Sequence, residues 1–409
     1  MESLSAANTQ FSLNLFKKIS GGNASGNVFY SPVSISSALA MVSLGAKGNT
    51  ADQMFKVLGF NNPPKPGGAT PTPAQATQKP QITCGKCPAQ PVPGQKAEEQ
   101  IHSSFNKFMS ELNKPGAPYV LSLANRLYGE QTYQFLEKYL SDAKKYYAAG
   151  LEKVDFKNKS EASRVNINTW VEKNTQEKIK DLLPSGAIDA MTRLVLVNAI
   201  YFKGNWEEKF PKEATRDGVF RLNKNQTKPV KMMHQKAQFL LASIPEMNSQ
   251  VLELPYVGKN LSMLIILPDQ IEDATTGLQK LERALTYEKL MQWTKVMRQQ
   301  EVQVSLPKFK TEQTYDMKSL LVSMGMEDVF DPQKVNLTGM SSSNDLVLSK
   351  VIHKAFVEVN EEGTEAAAAT GAVVSIRTLA QIFNADHPFL FFIRHNSTNT
   401  ILFYGRFCS

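Results

Sequence analysis

Apolar residues recur with a helical period through the first part of the chain. Phe11, Leu15 and Ile19 are spaced four residues apart, which predicts an amphipathic helix at the N-terminus. Ser31 followed by Pro32 is typical of a helix start, because the Ser side chain caps the helix and Pro suits its first turn. A stripe at helical spacing follows, which predicts a second helix with a buried face: Ile35, Ala38, Leu39 and Val42.

Three further helices are predicted downstream. Thr50 and Gln53 have the spacing of a capping box, so a helix is expected to begin at Thr50. The segments Gln100–Leu112 and Ser160–Leu183 are also expected to be helical. The second of these ends before Pro184, because Pro cannot continue a helix.

Strand patterns dominate the second half of the chain. Leu194–Phe202 and Leu261–Leu267 are nearly continuous apolar runs, as expected for strands covered on both faces. His353–Asn360 alternates between polar and apolar residues, and two strands are predicted around a polar turn at His395–Asn399. Alternation also occurs at Val302, Val304 and Leu306. Helices cluster early and strands late, which predicts the α+β class and a single domain over residues 1–409.

The segment Asn61–Lys96 differs in composition from the rest of the chain. It holds nine of the 21 prolines, four lysines and neither an acidic nor an aromatic residue. Such a segment cannot bury enough apolar surface to offset its ordering entropy, which predicts a disordered, Pro-rich insert between two helices. Its Cys84 and Cys87 resemble half of a redox or metal site. Because no further ligands lie nearby, two free thiols are expected, with a regulatory disulfide as the alternative.

Charge and composition limit the classes of partner. A net charge of +8 permits acidic partners, but no nucleic-acid-binding motif occurs, so no nucleic acid is expected as a partner. No apolar segment approaches the ~18 residues of a membrane span, so no membrane contact is expected either. The N-terminus, with Glu2 and no apolar run, does not have the pattern of a secretory signal. Three cysteines suit a reducing compartment, so a cytoplasmic location is expected, with leaderless release to the extracellular space as the alternative.

The sequence contains no recognisable catalytic arrangement. Its five histidines are His102, His234, His353, His387 and His395. No G-x-S-x-G, H-E-x-x-H or G-x-x-x-x-G-K-[ST] motif is present. His353 lies in a predicted strand, where a hydrogen-bonded core histidine is expected, and His387 precedes a strand, where a structural role is expected. The sequence therefore predicts a protein that is not an enzyme and that needs no cofactor or metal.

The segment from Glu361 to Gln381 is unusually rich in small residues for a connection between two predicted strands. One interpretation is a short surface helix, because Ala is the best helix former and Thr364 could cap it. The alternative is an exposed loop that later becomes a strand, since small or β-branched residues recur with period two at Thr364, Ala366, Ala368 and Thr370. Insertion as a central strand would complete two ladders of backbone hydrogen bonds, about 10 kcal/mol in total.

Four motifs carry a resemblance to a known family. They are NVFYSPVSISSALAMVSLGAKGNTADQM (Asn27–Met54), LVNAIYFKGNWEEKF around Val197, HKAFVEVNEEGTEAAAAT (His353–Thr370) and ADHPFLFFIRHNSTNTILFYGRF (Ala385–Phe407). These resemble the second and third helices, the central strand, the hinge and the C-terminal signature of the serpins, specifically of their ovalbumin-like intracellular clade (clade B). The resemblance covers all of the chain except Asn61–Lys96. It implies three β-sheets, about eight to nine helices and an exposed reactive-centre loop at residues 361–381.

The resemblance implies roles for individual residues of this loop. Its hinge would consist of Glu361, Gly363, Thr364, Ala366, Ala368 and Thr370. Counting 17 residues from Glu361 places the reactive bond between Arg377 and Thr378. Arg377 is also the only basic residue between Glu361 and Gln381, and it fits the carboxylate-containing pocket of a trypsin-like protease. The expected function is suicide-substrate inhibition of such a protease, which is trapped as a covalent acyl-enzyme when the cut loop inserts into the main sheet.

Five more residues match family positions, four that control the opening of that sheet and one where the loop enters it. Ser31, Ser34, Asn198 and His353 match the shutter, a polar cluster beneath the central strands. A buried hydrogen-bond network is the structural role expected of the same residues. Trp206 matches the breach, where the loop first enters the sheet, and ordinary core packing is the alternative for it.

One feature departs from the family pattern. The segment from Arg377 to Phe383 is about two residues shorter than the clade implies. The cleaved residue could therefore be Ser375 or Ile376, and an elastase- or chymotrypsin-like target would follow. Inhibition of cysteine proteases and a non-inhibitory binding role on the same fold are further alternatives. The protein is expected to act as a monomer whose partners are serine proteases.

Overall fold

The computed structural model describes residues 2–60, 93–363 and 379–409, with the side chains of the second range described from residue 97 onward. The predicted insert Asn61–Lys96, with Cys84 and Cys87, therefore lies outside the described residues as far as position 92. The helix that follows begins at Pro93 instead of Gln100. Pro is well suited to the first turn of a helix, where its missing N–H has no intrahelical partner, so the helix takes up the end of the predicted insert.

Nine α-helices lie within these three ranges. The predicted N-terminal helix is confirmed, and so is the cap of the next helix, where the Ser31 hydroxyl oxygen accepts from the backbone N–H of Ser34 at 3.4 Å. Within the described residues, none of the helices has both the length and the hydrophobicity to cross a membrane. The helices are α1 (Glu2–Gly22), α2 (Pro32–Ser43), α3 (Gly48–Leu58), α4 (Pro93–Leu112), α5 (Glu137–Tyr147), α6 (Phe156–Asn174), α7 (Gln279–Ala284), α8 (Tyr287–Lys295) and α9 (Met317–Ser323).

The predicted capping box at the start of α3 is wrong. The helix begins at Gly48, and its first turn has no side-chain cap. The Thr50 hydroxyl oxygen instead accepts from the backbone N–H of Asn336 at 3.0 Å. The Gln53 amide oxygen accepts from the backbone N–H of Asp328 at 2.8 Å. Both side chains therefore stabilise a distant segment of the chain, which local spacing cannot reveal.

α6 ends at Asn174, well before the predicted end at Leu183. Gln176 and Glu177 have positive φ angles of 53° and 60°, which are incompatible with a continuing right-handed helix. The chain beyond them stays packed through the Asn168 side chain. Its Oδ1 accepts from the Leu183 N–H at 2.8 Å, and its Nδ2 donates to the Leu183 carbonyl at 2.9 Å.

The strands of the described ranges confirm the strand predictions. They are β1 (Val28–Tyr30), β2 (Tyr119–Glu130), β3 (Leu151–Val154), β4 (Leu194–Gly204), β5 (Arg216–Arg221), β6 (Thr227–Ile244), β7 (Ser249–Pro255), β8 (Leu261–Pro268), β9 (Arg298–Pro307), β10 (Phe309–Asp316), β11 (Leu348–Val359), β12 (Gln381–Asn384), β13 (Phe389–His395) and β14 (Thr400–Phe407). The α+β class is confirmed.

These strands form two hydrogen-bonded sheets in the described part of the chain. One has the order β1-β14-β13-β8-β7-β6-β9-β12, with β5 paired to β6, and the other has the order β10-β11-β4-β2-β3. The family resemblance implied three sheets. The count differs because β6, at 18 residues, pairs with β5 and β9 before residue 242 and with β7 from Leu240 onward, which joins two ladders into one network.

The five-stranded sheet is covered on both faces. Val195 and Val197 of β4 belong to a hydrophobic cluster that includes the buried side chains of α6. Leu194 and Leu196, which alternate with them, belong to the main core on the opposite face. A strand added in the middle of this sheet would therefore be buried on both sides.

Candidate functional site

β4 and β11 are adjacent and parallel in the five-stranded sheet, and we call their contact the seam. Its register runs from Leu348 opposite Leu194 to Phe356 opposite Tyr201. β10 is antiparallel to β11, and β2 is antiparallel to β4. A strand placed in the seam and antiparallel to both neighbours would make every adjacent pair from β10 to β2 antiparallel, which is the slightly more stable pairing. A chain that leaves the end of β11 and folds back has that direction.

The four predicted shutter residues meet at the seam. His353 of β11 lies directly opposite Asn198 of β4, and its Nδ1 is 2.6 Å from the Asn198 Oδ1. The Ser34 hydroxyl of α2 donates to the same oxygen at 2.9 Å. The backbone N–H of Ser31 donates to the His353 Nε2 at 3.1 Å, and the Ser31 hydroxyl donates to the Leu402 carbonyl at 2.6 Å. The cluster therefore connects both strands of the seam with α2 and β14.

The hydrogen bonds of this cluster fix the state of His353. Because Nε2 accepts from a backbone N–H, Nδ1 carries the hydrogen and donates to Asn198. Complete burial lowers the pKa of His353 to about 3, so the imidazole is neutral at physiological pH. The predicted hydrogen-bonded core histidine is present, and a strand entering the seam must separate its ring from Asn198.

We expect His353 alone to remove about 2 kcal/mol of unfolding free energy when the pH falls from 7 to 5. Its pKa in the folded state is about 3, whereas an unfolded histidine has a pKa of about 6.5. Below pH 6.5 the unfolded state therefore binds more protons, and stability falls as the pH is lowered. Urea denaturation of the wild type and of His353→Gln, whose amide does not titrate, measures this difference. Equal losses in the two proteins would contradict the prediction.

The chain leaves β11 through a tight turn from Asn360 to Gly363. The backbone N–H groups of these two residues donate to each other's carbonyls, both at 3.2 Å, and the Asn360 Oδ1 accepts from the N–H of Glu362 at 3.0 Å. Gly363 has a φ of +104°, and a Cβ there would lie 2.6 Å from the backbone nitrogen of Trp206. Only glycine fits this position. The predicted hinge therefore begins at a closely packed turn.

Trp206 lies directly beside this turn. Its indole N–H donates to the Asn360 carbonyl at 3.0 Å, and its backbone N–H donates to the Glu362 carbonyl at 2.9 Å. The indole stacks on Tyr256 with ring centroids 4.6 Å apart. Trp206 is thus both a core residue and a contact of the hinge backbone, where the family match places the breach.

Two carboxylates hold the start of the hinge to segments that connect strands. Glu361 accepts from Lys308 at 2.9 Å and from the Thr215 hydroxyl at 2.8 Å. Burial alone would raise the pKa of Glu361, but the hydrogen bonds from Lys308 and Thr215 hold it below its ordinary value. Glu362 forms ion pairs with Lys212 at 2.7 Å and with Lys209 at 3.3 Å.

These ion pairs were not predicted from the sequence. Lys308 is more than fifty residues from Glu361, and no local pattern connects the two positions. Lys209 and Lys212 follow Trp206 closely in the chain. This pair of lysines after the breach residue was the one sequence signal for the ion pairs of Glu362. Contacts of this kind follow from the fold.

The rest of the predicted loop lies outside the described residues. This applies to the hinge positions Thr364, Ala366, Ala368 and Thr370, to Arg377 and Thr378, and to the alternatives Ser375 and Ile376. The described chain resumes at Leu379, two residues after Arg377, and enters β12 at Gln381.

The remaining histidine prediction concerns His387, which precedes β13. Its Nε2 lies 2.5 Å from the Pro268 carbonyl, and its Nδ1 lies 2.8 Å from the Asp386 carboxylate. These contacts tie the start of β13 to the end of β8, which is the structural role predicted. Among the described residues, no group of three or more His, Cys, Asp or Glu side chains is arranged to hold a metal ion.

Comparison with known proteins identifies the family. A model of the serpin family, described as serine protease inhibitors, matches residues 6–409. The chain belongs to the serpin family. This serpin is therefore a member of a family of protease inhibitors, not of catalysts, and the resemblance carried by the four motifs is confirmed.

The relatives place this serpin within the family. It is 51% identical to the leukocyte elastase inhibitor of Equus caballus and 50% identical to that of Homo sapiens, in each case over 413 residues that cover 100% of both chains. Among solved structures, it matches uncleaved ovalbumin with a TM-score of 0.84 and 37% identity over 100% of both chains. Maspin matches with a TM-score of 0.84 and 35% identity, over 100% of this serpin and 99% of maspin. These similarities support clade B.

Proposed function

We propose that this serpin is a suicide-substrate inhibitor of trypsin-like serine proteases, with Arg377–Thr378 as its reactive bond. One observation carries the proposal. The hinge leaves β11 beside a seam between two parallel strands, and a returning strand in that seam would be antiparallel to both. The fold therefore offers a buried position for the loop, and a cut at Arg377–Thr378 separates the hinge side of the loop from its anchor in β12. Arg377 supports the protease class, as the only basic residue from Glu361 to Gln381.

The proposed reaction begins as ordinary proteolysis. The protease serine attacks the carbonyl carbon of Arg377, an ester to the serine forms, and the amine of Thr378 leaves with a proton. The Arg377 guanidinium pairs with a carboxylate in the specificity pocket through charge-assisted hydrogen bonds. The cut segment then enters the seam while the ester is intact, and the protease is held as an acyl-enzyme.

Chain length is sufficient for full insertion. Gly363 and Arg377 are fourteen positions apart, and a strand of fourteen residues spans about 46 Å. β11 has 12 residues and so spans about 40 Å. The cut segment can therefore pair along the whole of β11, which carries the ester to the far end of the sheet.

A second candidate is inhibition of an elastase-like protease. The relatives at about half identity are named leukocyte elastase inhibitors. The loop also contains Ala372, Val373 and Val374 just before the alternative cleaved residues Ser375 and Ile376. Small apolar residues suit a shallow apolar specificity pocket, so this sequence offers a second reactive bond.

One experiment separates the two candidates. The protein is incubated with trypsin, chymotrypsin, elastase and a papain-like cysteine protease, and SDS gels are combined with mass spectrometry of the released C-terminal peptide. We expect an SDS-resistant adduct with trypsin and a peptide that begins at Thr378. An adduct with elastase and a peptide that begins at Ile376 or Arg377 would support the second candidate. If every protease digested the protein without forming an adduct, both inhibitory candidates would be contradicted and a non-inhibitory binding role would be the remaining alternative.

A further inference from the structure

The chain after the proposed reactive bond is anchored within a few residues. β12 pairs in parallel with β9, from Gln381 opposite Val302 to Asn384 opposite Ser305. Phe383 at its centre is completely buried in the core. Immediately after β12, the backbone N–H of Ala385 donates to the Ser305 carbonyl at 2.9 Å. β12 is therefore a fixed edge of the nine-stranded sheet.

Two large apolar side chains are exposed on β12 and on the residues just before it. Leu379 is 98% exposed and Ile382 is 67% exposed. A single exposed apolar residue is ordinary on a protein surface. Two of them within four residues, beside a segment that a partner must approach, form a surface that gains free energy when it is covered.

The register of the sheet extends this surface across two neighbouring strands. Ile382 lies opposite Gln303 of β9, and Gln303 lies opposite Lys236 of β6. Residues directly opposite each other on adjacent strands leave the same face of a sheet, and strands are about 4.8 Å apart. Gln303 and Lys236 are both exposed. The three side chains therefore form a row about 10 Å long, which we call the β12 row.

Lys236 is held in this position by an ion pair. Its ammonium group lies 3.2 Å from the carboxylate of Glu301, whose side chain is only 8% exposed, whereas that of Lys236 is 52% exposed. One end of the β12 row is thus a fixed, accessible positive charge, and the other end is the apolar side chain of Ile382.

The length of the chain places a bound protease over this row. Arg377 and Gln381 are four positions apart, so they are separated by at most about 14 Å. A protease of about 230 residues has a radius of gyration of about 17 Å. Ile382 is five positions from Arg377 and so lies at most about 18 Å from the active site of the bound protease, which is comparable with the radius of the protease. The segment from Arg377 to Phe383 is about two residues shorter than the clade implies. This shortening brings a bound protease closer to the body of this serpin.

We infer that the β12 row, together with Leu379, is a docking surface for the target protease, on the side of its active site that receives the residues after the cut. This inference rests on the proposed function. Leu379 fills a subsite next to the cleaved bond, Ile382 packs in an apolar hollow on the rim, and Lys236 pairs with an acidic group of the protease. The surface makes this serpin selective among proteases that all accept Arg, because Arg377 alone does not distinguish them.

The test compares rates of inhibition by Ile382→Glu and by the wild type with trypsin. We expect the second-order rate constant of inhibition to fall at least tenfold, with the number of serpin molecules consumed per protease unchanged, because insertion does not involve Ile382. The matched control is Val165→Glu on α6, where an apolar side chain is also exposed, at 49%. That variant is expected to react within twofold of the wild type. Ile382→Gln, without the added charge, should fall between the two.

The outcomes separate this inference from the proposed function. If the wild type forms an adduct with trypsin and Ile382→Glu reacts within twofold of it, the docking surface is wrong and the proposed function stands. If the wild type forms an adduct with elastase only, the trypsin assignment is wrong, and the same ratio of rates measured with elastase decides on the docking surface. If no protease forms an adduct, both are wrong. A melting temperature equal to that of the wild type excludes misfolding of Ile382→Glu.

Discussion

Thr364→Arg is expected to convert this serpin from an inhibitor into a substrate. Thr364 follows the Gly363 turn directly, so it would enter the seam first in the proposed insertion. At that end of the seam, Phe202 and Val359 belong to one buried hydrophobic cluster and Tyr201 belongs to the cluster that includes α6, so the sheet is covered on both faces. Burying an unpaired guanidinium costs several kcal/mol. Since 1.4 kcal/mol is a tenfold change in rate, insertion slows by about 100-fold or more and hydrolysis of the ester overtakes it.

The measurement is the number of serpin molecules consumed per protease inhibited, together with an SDS gel. The wild type is expected to need about one molecule, whereas Thr364→Arg should be consumed as cleaved protein without an adduct. Thr364→Val is the matched control, because it keeps the β-branched shape without a charge, and it should inhibit like the wild type. Full inhibition by Thr364→Arg would show that insertion is not required.

Cleavage of the loop is expected to raise the melting temperature by about 10 °C or more. An inserted strand adds two ladders of backbone hydrogen bonds, at about 0.5–1.5 kcal/mol each and about 10 kcal/mol in total. The entropy of unfolding is about 2.1 cal/mol/K per residue, so a chain of 409 residues has about 0.9 kcal/mol/K. Dividing the added free energy by this entropy of unfolding gives the expected rise in melting temperature. Calorimetry of intact and cleaved protein measures it, and cleaved Thr364→Arg, which inserts poorly, should gain less.

An unchanged melting temperature in the cleaved wild type would mean that no more stable arrangement is available to the cut chain. The trapping mechanism would then have no source of free energy. A smaller gain in cleaved Thr364→Arg than in the cleaved wild type would show that the stabilisation comes from the seam and not from release of the loop alone.

Local signals predicted the secondary structure where local interactions decide it. The helix after Ser31 begins as predicted because its cap is a contact between residues three positions apart. The box expected at Thr50 fails because Asn336, far along the chain, takes the Thr50 hydroxyl. The predicted length of α6 is too great. Asn168 holds the irregular chain that follows the helix against it, so this chain is buried without being helical. The spacing of apolar residues shows which positions are buried, and in this segment buried positions do not form a helix.

The residues at the seam could be named from the sequence, but their arrangement in space could not. Ser31, Ser34, Asn198 and His353 were identified by resemblance, and their spacing along the chain does not show that they meet. The parallel pairing of β4 and β11 depends on strand order, which hydrophobic pattern does not encode. The ion pair between Glu361 and Lys308 is likewise a product of that order.

The lengths of β4 and β11 act as a molecular ruler. β4 has 11 residues and β11 has 12, so the strands are about 36 and 40 Å long. In the proposed mechanism, a protease attached at the cut end of the inserting strand would be displaced along this whole distance, in one direction, to the opposite end of the sheet. The distance of this displacement is therefore set by the lengths of the two strands and not by the identity of the protease.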